Sequence, residues 1–226
     1  MSMKVTNKFI AGLVAVVAVS VTSAAHANRD YRTTGFYAGA QFGLNLANFK
    51  LDHYFESNPS LTTQDSYSFA PQLGLEFIAG YQFAPRWRTE LNYGYVSKFE
   101  DSDSAAIFAI TSQHLMANVL FTMAQLNTTS IYTGVGAGAT LLQSSISGLI
   151  FTDDGHRDQT KATYIGQFIL GVEEAVTKNF SVGLSYAFRY SGGATHKREY
   201  FDGDILVTDI SAIMTHNISA GVRIKF

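Results

Sequence analysis

Three acids and five bases are the residues of this chain best placed to do chemistry: Glu76, Glu90 and Glu173, and Arg88, Lys98, Arg189, Arg223 and Lys225. Each lies in a stretch where apolar and polar residues alternate, and each takes the polar parity. Charges confined to one enclosed face must pair, because an unpaired buried charge is costly. Counting from the chain's tight turns puts Glu76 and Arg189 at one mid-level height, with Arg88, Glu90, Glu173 and Arg223 lower. The expected pairs are Glu76 with Arg189, and Glu173 or Glu90 with Arg223. Such a salt-bridge network is either a structural plug or, on the sharper reading, the gate of a narrow pore.

Other chemistries find little support. H-E-x-x-H and G-x-S-x-G are absent, cysteine is absent, and His53, His114, His156, His196 and His216 do not sit at metal-ligand spacing. No metal site and no cofactor is expected. Gly134, Gly136 and Gly138 could suggest a phosphate loop, but no helix follows them. They are expected to make room for Tyr132 and for long basic side chains. His216 differs from the other polar groups because it sits in an apolar row. It could serve as a base acting on lipid acyl groups, or simply rest as an imidazole at a membrane boundary.

The elements that must position these groups are strands. Alternating segments recur eight times after residue 35, beginning near Phe36, Leu73, Trp87, Leu115, Ile131, Tyr164 and Phe180 and closing with the run that ends at Phe226. Period-two alternation over about ten residues signals a strand, and no helical stripe competes. The connections are long, short, long, short: "ESNPSLTTQDS", "APR", "EDSDS", "QLNTT", "TDDGHRDQTK", "TKN" and "THKREYFDGD". That rhythm predicts an all-β, eight-stranded antiparallel up-and-down transmembrane β-barrel. Asp154-Gly155 and Asp202-Gly203 mark tight turns within two of the long connections, the second closing a hairpin beyond the membrane.

A soluble barrel would turn its apolar rows inward and its polar rows to water. A water-facing surface carries roughly a quarter to a third charged residues. Here only 15% of the chain is charged and 46% is hydrophobic, yet mean hydropathy is just +0.06. The polar rows are mostly Gly, Ser, Thr, Asn and Gln, which suits a narrow lumen. The apolar rows therefore face lipid. Among strand charges only Glu174, beside a short turn, takes the lipid parity; near the interface such a charge costs almost nothing. Trp87, Phe83, Phe180 and Phe226 lie toward the short-turn end, and Phe99 and Tyr190 toward the other, as two halves of an aromatic girdle.

The amino terminus reads as a cleaved secretory signal, residues 1–27. Lys4 and Lys8 precede the apolar run Phe9–Val21, and Ala25-His26-Ala27 closes it. Its removal takes the net charge from −2 to −4 and leaves 28–226 as one barrel domain. No basic excess points to nucleic acid.

"GFYAGAQFGLN", "LMANVLF", "YTGVGAGAT", "TKNFSVGLSYAFRY" and "HNISAGVRIKF" together resemble the small bacterial outer-membrane barrels, the opacity-protein and OmpA-like transmembrane domains often grouped as the porin family. The resemblance implies a Gram-negative outer membrane, with lipopolysaccharide as surroundings. It also implies that the closing strand, through Val222, Ile224 and Phe226, is read by the barrel assembly machinery. No wall-binding domain is expected to follow. The expected function is structural or adhesive, through four long extracellular loops that meet a host or envelope ligand. A narrow porin or a conduit for small hydrophobic molecules is the alternative, and a lipid A-modifying enzyme a more distant one.

Overall fold

The computed structural model describes residues 34–68, 71–101, 107–147, 158–199 and 204–226. The expected signal 1–27, Asp154-Gly155, Asp202-Gly203 and the side chains of Lys98 and Phe99 lie outside the described residues.

Among the described residues, eleven strands form one antiparallel sheet: β1 (Gly35–Phe55), β2 (Asn58–Ser68), β3 (Gln72–Ala84), β4 (Trp87–Asp101), β5 (Ile107–Leu126), β6 (Thr129–Ser147), β7 (Asp158–Ala175), β8 (Phe180–Ser191), β9 (Ala194–Glu199), β10 (Ile205–Ile210) and β11 (Ile213–Lys225). Eight of them, β1, β3, β4, β5, β6, β7, β8 and β11, follow one another around a ring. It closes where β11 pairs with β1, from Tyr37 opposite Lys225 to Asn48 opposite Met214. A closed ring leaves no edge, which membrane-spanning strands require because lipid offers no hydrogen bonds.

The remaining three strands extend the wall outward. Above Asn48, β1 exchanges its lower neighbours for β2 on one side and β10 on the other, and β10 pairs with β9. The sequence "ESNPSLTTQDS", expected as loop, is thus largely strand β2. Its described side chains, Asn58, Ser60, Thr62, Thr63 and Gln64, are polar and exposed on both faces, so they supply no hydrophobic period to reveal it. Short turns close the opposite end. Asn127 takes φ 54° in the turn between β5 and β6, a left-handed conformation that Asn tolerates better than most residues.

The two faces of the wall differ as a membrane barrel demands. Large apolar side chains such as Phe42, Phe77, Leu91, Leu115, Val135 and Phe168 point outward, the exposed set ranging from 37% to 78% accessible. Their inward neighbours Asn45, Glu76, Glu90, Asn92, Asn118 and Asn217 are buried. In water this arrangement would expose a continuous apolar belt; in lipid it is the stable one.

Candidate functional site

The lumen holds two polar layers below an apolar one. In the lower layer Arg88 comes from the start of β4, Glu173 from the end of β7 and Arg223 from the end of β11, so three strand termini meet near the short turns. Arg88 Nη1 donates to Glu173 Oε2 at 2.8 Å, and Arg223 Nη1 donates to the same oxygen at 3.1 Å. Arg223 Nη2 lies 3.3 Å from Glu90 Oε1, which also accepts from the Tyr37 hydroxyl at 2.9 Å. Ser181 Oγ donates to Glu173 Oε1 at 2.6 Å. The Arg88 and Arg223 guanidinium carbons stand 4.4 and 5.6 Å from the centre of the Tyr132 ring.

The room for that ring is opened by Gly171, directly across the β6–β7 pair, where any Cβ would strike it. Gly134 and Gly136 instead face Leu120 and Asn118 of β5, which corrects the expected role of the glycine row.

The middle layer is centred on Glu76. Arg189 Nη2 donates to its Oε1, Gln41 Nε2 donates to Oε2 at 2.8 Å, and His114 Nε2 lies 3.5 Å from Oε1. Arg189 Nε donates to Gln167, whose amide donates onward to Asn118. Gly94 pairs with Glu76 on one side and His114 on the other. Lacking a side chain, it lets the imidazole lean across it toward the carboxylate, and an added Cβ would collide with that ring.

Above Asn45 the inward row of β1 changes character to Ala47, Phe49 and Leu51. They cluster with Val96, Ile110, Leu142, Ile210 and Ile213 in a buried apolar layer. Over it the β9–β10 hairpin reaches the inward face of β6, where Ser144 Oγ lies 3.1 Å from His196 Nδ1 and both residues are fully buried. At the tip, Lys197 Nζ donates to Glu56 at 2.9 Å, the Tyr54 hydroxyl donates to Asp209 at 3.3 Å, and Ser57 donates to Asp204. The Ser57 hydroxyl holds the Asp204 carboxyl below its ordinary range, and Glu56 holds the Lys197 ammonium above its own.

Outside the lumen, Phe83, Trp87 and Phe226 are exposed and Phe180 partly so, all at the short-turn end, while Tyr190 is exposed toward the other. Phe36 packs on Tyr81 and Trp87 on Phe121, at centroid distances of 4.6 and 4.8 Å. Glu174 accepts a hydrogen bond from Thr129. Lys225 donates to Gln82 at 3.1 Å at the lumen mouth. His216 sits against Phe188, with the Tyr186 hydroxyl 2.7 Å from its Nδ1. This contact orients the imidazole. Among the described residues no three His, Asp or Glu side chains converge as a metal site.

A model of the outer membrane protein β-barrel domain matches residues 11–226. The chain belongs to that family. As an outer-membrane β-barrel it sits in the outer membrane, surrounded by lipid and lipopolysaccharide. A relative in Rickettsia akari (strain Hartford), named as a candidate adhesin, is 20% identical and covers 93% of this chain and 96% of its own. A second in Rickettsia canadensis (strain McKiel), named likewise, is 21% identical over 64% of this chain and 70% of its own. In fold, this outer-membrane barrel is similar to Neisserial surface protein A, with TM-score 0.54, 20% identity and coverage of 86% of this chain and 99% of that one. It is likewise similar to OprG of Pseudomonas aeruginosa, with TM-score 0.51, 14% identity and coverage of 87% and 99%.

Several lumen residues of this barrel escaped sequence reasoning. Tyr37, Gln41, His114 and Gln167 bind the charged groups, and their inward parity was the available signal. The apolar layer from Ala47 to Leu51 carried the same signal. It was hidden by the expectation that apolar means lipid-facing.

Proposed function

We propose that this barrel is a membrane-anchored surface protein with a structural or adhesive role, working through the strands and loops it raises above the outer leaflet. The observation that carries this reading is the filled lumen crowned by an extended wall. Paired charges fill its lower and middle parts, and the apolar layer stoppers the top. Meanwhile β1 runs for 21 residues, whereas about 9–11 suffice to cross a bilayer. The surplus, with β2, β9 and β10, builds a small sheet on the extracellular side, a surface of the kind that binds partners. The names of the two rickettsial relatives support the same reading.

Replacing residues 49–68 and 194–210 by tight turns tests it. Adhesion of cells carrying the protein is expected to fall to background while heat-dependent gel mobility, the mark of a folded barrel, persists. Undiminished adhesion would exclude the extended wall as the working surface. Conduction is the competing reading, with the Glu76–Arg189 pair as gate. Planar bilayers are expected to show no discrete openings from the intact protein or from Arg189→Ala; openings that appear only in the variant would restore the gate. Lipid A spectra are expected to be identical with and without the gene; a difference abolished by His216→Ala would make the barrel an enzyme. In this reading the signal 1–27 is removed on export, and the closing strand ending at Phe226 is handed to the barrel assembly machinery.

A further inference from the structure

The outer wall, where apolar side chains meet lipid, is not evenly convex. A groove of about 530 Å³ crosses β7, β8, β11, β1 and β3, with Glu174 among its lining residues. Strand register shows how it lies. Glu174 stands opposite Val182, Val182 opposite Val222, and Val222 opposite Ala40. The adjoining row runs from Val172 through Leu184 and Ala220 to Phe42 and Leu75. Ala220 is flanked in that row by Phe42 and Leu184, and its short side chain sinks the floor between them.

The groove climbs away from the short turns. Glu174 lies next to the last residue of β7 and Val182 near the start of β8, whereas Ala40 and Leu75 stand successively deeper in β1 and β3. Neighbouring strands are about 4.8 Å apart, so the passage from β7 to β3 covers about 19 Å. With strands tilted by about 35–45°, it rises about 12 Å, within one leaflet of a hydrocarbon core about 30 Å thick. Its low end is the interface marked by Phe180 and Phe226, and there stands a carboxylate of lipid-facing parity. Thr129 donates to Glu174 Oε2, and among the described residues no Lys or Arg pairs with that carboxylate. An apolar groove suits an acyl chain, and the carboxylate at its foot suits a cation. In a bilayer the cation that arrives with an acyl chain is a headgroup ammonium, which brings charge and N–H donors together.

We propose that this groove is a binding site for an inner-leaflet phospholipid with a primary ammonium headgroup, of the phosphatidylethanolamine class. One acyl chain lies along the slope from Val172 to Leu75, and the ammonium donates to Glu174. The same carboxylate repels an anionic headgroup such as phosphatidylglycerol, so the site selects by charge as well as by shape.

Native mass spectrometry of the protein purified from outer membranes in a non-ionic detergent tests the site. It is titrated with phosphatidylethanolamine or with phosphatidylglycerol of identical acyl chains. One phosphatidylethanolamine is expected to stay on each barrel, held about tenfold more tightly than phosphatidylglycerol, as befits a hydrogen bond between charged groups. Glu174→Gln keeps the side-chain shape and is expected to abolish that preference while both lipids still bind. Ala220→Phe fills the floor of the groove and is expected to abolish retention of both. Heat-dependent gel mobility shows that each variant is folded. No lipid adduct, equal retention of the two lipids by the native protein, or a preference that survives Glu174→Gln overturns the proposal. So does lipid binding untouched by Ala220→Phe. Barrel dimers that form in place of lipid adducts, and are lost with Ala220→Phe, would overturn it in favour of a second copy of this chain.

Discussion

The lower two layers of the lumen and the layer above them are built from the same inward rows of the same strands, yet they are held together by opposite means. Around Glu76 and Glu173 every carboxylate is met by guanidinium, amide or hydroxyl donors, and the surrounding barrel keeps those charges from bulk water. Around Phe49 and Leu142 the described residues that cluster are all apolar, and cohesion comes from apolar burial. The difference follows from what lies outside each layer. Within the bilayer, lipid offers apolar surface no gain on burial, so lumen contacts there are polar and directional. Beyond the outer leaflet water returns, and the hydrophobic effect returns with it. The extracellular end is therefore the part of this membrane protein that folds like a soluble one.

The contrast is broken most severely at Arg189. Arg189→Ala leaves Glu76 charged and buried, and urea unfolding in detergent is expected to show a loss of about 3–5 kcal/mol. Pairing it with Glu76→Leu converts the layer to apolar contacts and is expected to recover most of that loss, which sharpens the comparison. In the upper layer Leu142→Ala is expected to cost about 2–3 kcal/mol, with no rescue available from a second substitution because the cost is a cavity. Gly94→Ala forces His114 off Glu76, and overpacking of this sort costs about 1–3 kcal/mol.

The smallest effect belongs to the exposed tip. Asp204 titrates below the ordinary aspartate range, so its bond to Ser57 is fully present above that range and lost as pH falls through the lowered value. Lys197 titrates above the ordinary lysine range, so its pairing with Glu56 is complete below that range and lost as pH rises through the raised value. Amide spectra of β9 and β10 are expected to be sharpest between these limits and to broaden at both extremes, while the unfolding midpoint of the ring stays fixed.

What was legible in the sequence was the side of the wall each residue occupies. Alternation assigns Phe77 to lipid and Glu76 to the lumen without any structure, and the rhythm of long and short connections supplies eight ring strands. Height was legible only where a tight turn gave an origin for counting, as for Glu76 and Arg189. Across-strand neighbours were not, because register depends on every strand at once. Tyr132 is accommodated by Gly171, 39 positions away on the chain, and no local pattern announces that. Nor does period two say where the membrane stops. Phe49 and Leu51 carry the inward parity of Asn45 but stand at another depth, and the described side chains of β2, Asn58, Ser60, Thr62, Thr63 and Gln64, are all exposed.

One seam in the ring has a last consequence. Phe226 N donates to Phe36 O at 3.0 Å, and the junction of β1 with β11 matches the other strand pairs in direction and continuity. The sheet does not distinguish the place where the chain happens to open. A circular permutant joined across that seam by a short linker, and cut instead at Asn127-Thr128, would present the same wall with its ends in a different turn. Asn127 would then be relieved of its left-handed backbone. Refolded in detergent, where no assembly machinery reads the strand ending at Phe226, the permutant would present its strands in another order yet form the same ring.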